Sequence, residues 1–333
     1  MLLSPAYKLT VGGKVVDTTD EPRASTVVDL LVSLDIGAAA DSFKLVLGNV
    51  GGLKPARGDE AEIELGYADD EGELVRVVKG EVEKVWPNLA TTHIVGYGGD
   101  MKLLRSFAEQ TYERQTAGAI VRDMAGKAGV EVERAEDGIN FPAYVADGRR
   151  SIYAHMLDLA EACGFDLYLT PDGKLVFEKF QTGKIVHVFE YAKHIVGLDV
   201  RRTQPLAEQV EVFGESATAT NGNDASAWVT TDFSSSKGVA GTGKRVLLER
   251  PSLRTAAAAR TAAEAALTDI QRRTLRGHVL TIGRPEVKLG DAIRLAELPD
   301  DSLDGNYQVR GVVHRITKAG GFTTRVDFRA IET

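Results

Sequence analysis

The chain carries one stretch of sequence twice, and this repetition constrains its fold more than any other feature. Near the C-terminus, Leu289-Gly290-Asp291-Ala292-Ile293-Arg294-Leu295 precedes Asp304-Gly305-Asn306-Tyr307. Then come Val309-Arg310-Gly311-Val312-Val313-His314-Arg315-Ile316 and Thr323-Thr324-Arg325-Val326. Far upstream lie Arg57-Gly58-Asp59, Val78-Lys79-Gly80-Glu81-Val82-Glu83-Lys84-Val85 and Thr91-Thr92-His93-Ile94. Gly58 and Thr92 are 34 residues apart, and so are Gly290 and Thr324. The Val-(Lys/Arg)-Gly strings fall inside both windows, offset by one residue. A Gly-Asp turn feeding alternating apolar and polar residues is a β signature. Two copies imply a duplicated β-module at residues 51–97 and 283–328.

The remaining texture divides the chain in three, which suits 333 residues. Residues 1–105 read as short strands, suggesting a barrel or sandwich. They include 6–11 before the Gly12-Gly13 turn, 26–35, 41–47, 60–67, 74–86 and 91–97. Over 60–67, Ala61, Ile63 and Leu65 share one face and Glu60, Glu62 and Glu64 the other. Asp100–Arg105 reads as a short crossing segment. Residues 106–184 read as a small α+β insert. Its helices are expected at Thr116–Ala128 and Ser151–Cys163, with Thr116 and Ser151 as N-caps. A hairpin is expected over 166–178, turning at Thr170-Pro171-Asp172-Gly173. Residues 185–333 return to β, with strands at 196–202 and 209–213. This part also contains a polar segment, 216–244, expected as loop, and an alanine-rich helix, 254–273.

Gly238-Val239-Ala240-Gly241-Thr242-Gly243-Lys244 has the spacing of a phosphate-binding loop, but Arg245 stands where a Ser or Thr would hold magnesium. A strand-like Val246-Leu247-Leu248 follows where a helix should open, so the segment reads as glycine-rich loop. His93, His155, His187, His194, His278 and His314 form no metal-ligand spacing. The acidic pairs Asp69-Asp70, Glu136-Asp137 and Asp300-Asp301 sit in turn-like sequence. The basic pairs Arg149-Arg150, Arg201-Arg202 and Arg272-Arg273 lack aromatic interleaving. Cys163, the single cysteine, lies on an apolar helix end and reads as a buried structural thiol. A net charge of −8 argues against general nucleic-acid binding. No apolar run approaches the ~18–20 residues of a membrane span, and no secretory leader is visible. No catalytic, cofactor-binding or metal-binding residue is assigned.

In its C-terminal part the sequence resembles the phage late control protein D family, the baseplate hub proteins of contractile tails and related injection systems. The resemblance rests on the helix 254–273, Leu280-Thr281-Ile282-Gly283-Arg284-Pro285, Leu289-Gly290-Asp291 and Asp304-Gly305-Asn306-Tyr307-Gln308-Val309. It rests also on Val313-His314-Arg315-Ile316, Gly320-Gly321-Phe322-Thr323-Thr324 and the helix-to-hairpin passage Leu159–Phe177. It extends over the whole chain and to the N-terminal part of VgrG-type spike proteins. It implies a mainly β fold, with two duplicated tube-type β-barrel domains (1–105 and 185–333) and the α+β insert between them. It also implies a non-enzymatic homotrimeric adaptor. Such a trimer would present six similar barrels to a sixfold inner tube and a threefold face to the spike. Because the chain stops at Thr333, the spike is expected to be a separate protein, alongside other baseplate components. Assembly is expected in the bacterial cytoplasm, within a phage tail or phage-tail-like particle. The Glu60/Glu62/Glu64 face is a candidate lining of the central channel.

Two other readings compete. A tail-associated peptidoglycan hydrolase would use Glu161 or Asp166 of the insert with a partner acid across a cleft. A carbohydrate-binding adhesion protein would use Trp86 or Trp228 as a platform.

Overall fold

The computed structural model describes residues 4–19, 26–48, 53–68, 74–181, 185–214 and 236–331. Strands β1 (Pro5–Val11) and β2 (Lys14–Asp17) form a hairpin, followed by β3 (Val27–Asp35), β4 (Ser42–Gly48), β5 (Glu60–Tyr67), β6 (Val75–Pro87) and β7 (Thr91–Gly98). Next come α1 (Asp100–Arg105), β8 (Gln110–Thr116), α2 (Ala117–Lys127), β9 (Val132–Ala135), β10 (Asn140–Ala146), α3 (Ile152–Cys163), β11 (Asp166–Leu169) and β12 (Leu175–Glu178). The last part holds β13 (Ile185–Glu190), β14 (Ile195–Arg202), β15 (Gln209–Phe213), β16 (Lys237–Gly241), β17 (Arg245–Glu249) and α4 (Ala256–Arg272). It ends with β18 (Leu275–Ile282), β19 (Ala292–Ala296), β20 (Gly305–Thr317) and β21 (Gly321–Ala330). The fold is mainly β, as expected. Thr116 and Ser151 cap their helices as read from sequence, accepting from Ala119 N at 3.2 Å and Ala154 N at 3.3 Å.

Thirteen strands form one sheet, and within it the duplication is explicit. The first half runs β3-β4-β7-β6-β5-β1, with β2 beyond. The second runs β14-β18-β21-β20-β19-β13 in matching order. The last pair differs in sense: β1 is antiparallel to β5, whereas β13 is parallel to β19. The register breaks recur as well. A bulge between Val82 and Lys84 on β6 matches one between Val309 and Gly311 on β20. Another between Val27 and Asp29 on β3 matches one between Ile195 and Gly197 on β14. Bulges re-aim a strand, so matching bulges mean matching curvature. Apolar side chains of both halves share one core, from Leu9, Phe43 and Ile63 to Val279, Ile293 and Phe328.

The Gly-Asp turns are equivalent down to single hydrogen bonds. Gly58 and Gly290 have φ of 89° and 79°, a conformation that suits glycine. Gly58 N donates to Val82 O at 2.8 Å, and Val82 N donates to Asp59 O at 2.9 Å. Gly290 N likewise donates to Val309 O at 3.1 Å, and Val309 N to Asp291 O at 2.9 Å. Each aspartate carboxylate accepts the amide three residues before it at 2.8 Å, Ala56 N for Asp59 and Lys288 N for Asp291. These bonds correct one part of the sequence alignment: Val309 corresponds to Val82, not to Val78. The 34-residue interval survives because the first hairpin of the N-terminal copy is longer and its second hairpin is shorter by the same amount.

One cross-strand pair shows how the copies diverged without losing volume. Phe43 on β4 faces Gly96 on β7, while Gly277 on β18 faces Phe328 on β21. A Cβ on Gly96 would lie 2.0 Å from Phe43 Cζ, and one on Gly277 would lie 3.0 Å from Phe328 Cζ. The aromatic ring has changed strand and fills its partner's vacancy.

The two halves join where β20 changes neighbour. Its first residues, Gly305 to Gln308, pair with β19, and Gly311 to Thr317 pair with β3 from Asp35 to Asp29. The second core lies in the insert. It combines α2, α3 and the β11-β12-β9 sheet with β15 and the alanine face of α4, Ala258, Ala259, Ala262 and Ala263. The alanine-rich helix therefore packs with the insert's core, although it is encoded with the C-terminal strands. Small side chains allow that close approach. Strand β16 falls inside the segment expected as loop; residues 215–235 lie outside the described residues.

Candidate functional site

The phosphate-loop-like segment folds as strand β16, through Gly241, and the short turn Thr242–Lys244 that leads into β17. β16 and β17 lie on either side of β15, and in the turn between them Lys244 N donates to Glu208 Oε2 at 3.1 Å. No helix opens after it, so the aligned amides that would cradle a phosphate are missing from this turn.

The histidines are scattered. His93 stacks on Trp86, with centroids 5.5 Å apart. His155 is buried between Tyr144 Oη at 3.0 Å and Asp147 O at 3.1 Å. His187 contacts Asp291 at 3.2 Å, and His194 Nδ1 accepts Glu190 N at 3.1 Å. His278 faces Asp199 and Asp327 across the sheet. His314 is fully buried; its Nδ1 lies 3.0 Å from Thr324 Oγ1, and burial lowers its pKa to about 3. Among the described residues, no three His, Cys, Asp or Glu side chains gather as metal ligands. Cys163 is buried, and burial raises its thiol pKa to about 11.

The acids considered for hydrolysis act as ties. Glu161 pairs with Arg250 at 2.5 Å. Asp166 opens the β11–β12 hairpin and accepts from Gln308 and Arg310 on β20; Arg329 on β21 approaches at 3.6 Å. Arg329 also donates to Asp269 on α4 at 2.8 Å, and burial lowers its pKa to about 10. At the hairpin tip, Asp172 pairs with Arg76 on β6 at 2.7 Å. The hairpin thus bridges both halves of the large sheet, with its base on the second and its tip on the first. Beside it lies a cleft of about 240 Å³, lined in part by Glu81, Glu83, Lys102, Arg105 and Glu131. Glu83 is already held by Arg57 and Arg105, each at 3.0 Å.

The other sequence pairs resolve locally. Asp137 pairs with Arg122, and Asp300 accepts from Ser302 N and Oγ; Asp69, Asp70 and Trp228 lie outside the described residues. Arg149, Arg150, Arg201 and Arg273 pair with Asp147, Asp158, Asp199 and Asp269. Arg202 donates to Ser302 O, and Arg272 to Ile331 O. On the β5 acidic face, Glu62 meets Arg76 and Lys79, while Glu64 meets Lys8 and Arg76. That stripe carries its own counter-charge.

Sequence reasoning missed the buried pair Asp41 and Asp100. Asp41 N donates to Asp100 Oδ2 at 2.7 Å, and Asp35 N donates to Asp41 Oδ1 at 3.1 Å. Burial, with Asp100 close by, pushes the Asp41 carboxyl well above the usual range, and burial brings Asp100 to about 6. The pair clamps the end of the β3–β4 hairpin to the start of α1. Fifty-nine residues separate its members, so no local pattern could announce it.

No protein-family model matches the chain, and no curated protein matches it in sequence. Solved structures do match in fold. A 43 kDa tail protein of prophage MuSo2 from Shewanella oneidensis superposes with a TM-score of 0.74 at 13% identity, covering 98% of both chains. A tail protein from Neisseria meningitidis gives 0.74 at 13% identity, covering 98% of this chain and 97% of its own. An Escherichia coli component of the type VI secretion system, described as similar to bacteriophage T4 tail proteins gp27 and gp5, gives 0.57 at 9% identity. That match covers 91% of this chain and 73% of the other. By these likenesses the chain has the fold of phage-tail and type VI secretion tail-like proteins, the fold that its C-terminal motifs pointed to.

Proposed function

We propose that the protein is a structural baseplate hub adaptor of a contractile tail or injection system. Three copies join a sixfold inner tube to a threefold spike. One observation carries the reading: a single chain holds two modules with the same strand order, bulges and Gly-Asp turns, so three chains supply six equivalent surfaces. The tail-protein fold supports the setting. The ion pairs of Asp166 and Glu161 favour this reading over a hydrolase, because both carboxylates are engaged in holding elements together. No helix among the described residues is long and apolar enough to cross a membrane.

Native mass spectrometry, alone and with the co-expressed tube and spike proteins, tests the proposal. The expected species is a trimer that binds both. A chain that stays monomeric in the presence of both partners, or that clears peptidoglycan in a zymogram, sinks it.

A further inference from the structure

The junction between the two halves is a template whose counterpart is unfilled. Within the chain, β3 lies against β20 in a defined register: Gly311 opposite Asp35, Val312 opposite Leu34, Val313 opposite Ser33 and His314 opposite Val32. By sheet order and bulge position, the counterpart of β20 is β6 and that of β3 is β14. Both counterparts are edges among the described residues. β14 pairs only with β18, and Glu83–Pro87 pairs only with β7.

Burial records the difference. Val312 and His314 are fully buried beneath β3, whereas their counterparts are a half-buried Val85 and an exposed Pro87, with Trp86 43% exposed between them. Leu30 and Val32 on β3 are fully buried, whereas Leu198 and Val200 on β14 are half-buried and Val196 is 64% exposed. Seven positions apart in the strand order of one sheet, the two edges do not pair with each other within the chain.

We propose that β14 of one copy adds to the free edge of β6 of the next, repeating between chains the β3–β20 junction made within each. The proposal rests on the three-copy reading above and names its interface. Transferring the register places Lys84 opposite Thr203, Val85 opposite Arg202, Trp86 opposite Arg201 and Pro87 opposite Val200 of the neighbour. Trp86 and Arg201 then face each other, an indole beside a guanidinium. Pro87 stands where His314 stands in the template, and it lacks an N–H. It therefore shortens the ladder and bars indiscriminate strand addition along that edge. The contact is head-to-tail, so a ring forms when the rotation closes.

Directly opposed antiparallel residues bring their Cα atoms within disulfide range. In the full chain, W86C combined with R201C is expected to give disulfide-linked trimers on oxidation. W86C alone, R201C alone and W86C with R202C, which faces the other side of the sheet, should stay monomeric on denaturing gels. Cys163 stays in every variant as a buried background. In the unmodified chain, amide exchange over 83–87 and 196–202 should slow on assembly. A native trimer that cross-links equally in both double variants, or in neither, overturns the edge pairing and leaves the three-copy reading standing. A chain that neither cross-links nor assembles with tube and spike overturns both.

Discussion

Phe43 and Gly96 illustrate at the residue scale how a duplicated core keeps its volume. A methyl on Gly96 has no room beneath the ring, so G96A should cost about 1–3 kcal/mol through overpacking. F43G should cost at least the ~3–5 kcal/mol typical of truncating a buried phenylalanine. The double swap F43G/G96F reproduces the arrangement at Gly277 and Phe328. It should be more stable in urea than the sum of the single costs implies, a coupling that a double-mutant cycle measures. Two buried ionisable sites give opposite pH signatures. Asp100 titrates near 6 in the folded chain, above its unfolded value near 4, so the native state holds an extra proton between those values. Stability from this site is therefore full below about pH 4 and lost as pH rises through 6. D100N, which keeps an acceptor for Asp41 N, should gain on the order of 2 kcal/mol over wild type between pH 4 and 7. His314 behaves in reverse. Its folded pKa of about 3 lies below the unfolded value near 6.5. The unfolded chain then binds the extra proton, and stability falls by about 1.4 kcal/mol per pH unit below 6.5. H314L should remove that acid slope in thermal melts.

At the scale of elements, the β11–β12 hairpin works as a strut with unequal ends. Its base ties Asp166 to Arg310 and Arg329, whose side chains are 23% and 12% exposed. Removing the carboxylate strands the Arg310 guanidinium, while Arg329 keeps Asp269, so D166A should cost about 3–5 kcal/mol in urea unfolding. Its tip pair, Arg76 with Asp172, is exposed, and D172A should cost less than about 1 kcal/mol. Strand and helix identities were largely legible. The two copies of the Gly-Asp turn, the alternation over 60–67 and the caps Thr116 and Ser151 all fold as read. Misreadings have physical causes. Asp100–Arg105 looked like a crossing segment because six residues are too few to show helical periodicity. Strand β16, Lys237-Gly238-Val239-Ala240-Gly241, is glycine-rich and held by its neighbour β15, so tertiary pairing overrode its low propensity. Among the described residues, strands β8 and β10 pair only with each other; β8 is polar-rich and β10 carries Pro142, a residue that argues against a strand, which hid them.

For the whole molecule, the sequence disclosed the duplication but not its consequence, that both halves share one sheet. The equal 34-residue intervals suggested like-for-like copies, yet compensating hairpin lengths shift the internal string by four residues. The long-range ties, Asp166 of the insert with Arg310 and Asp41 with Asp100 inside the N-terminal half, join residues too distant in the chain for any window to detect. The β3–β20 ladder has a consequence for the order of folding. Asp35 and Gly311 face each other but lie 276 residues apart in the chain. At roughly 5–20 residues per second of synthesis, β3 waits about 14–55 s before its partner exists. The N-terminal half must hold an open strand edge during that time, and the ladder closes only when β20 has emerged. Pulse-labelled exchange on stalled nascent chains should show the β3 amides that face β20 unprotected until β20 emerges, while those facing β4, and β4–β7 themselves, are already slow. A sheet joined through β3 and β20 makes the emergence of β20 the step that commits both halves.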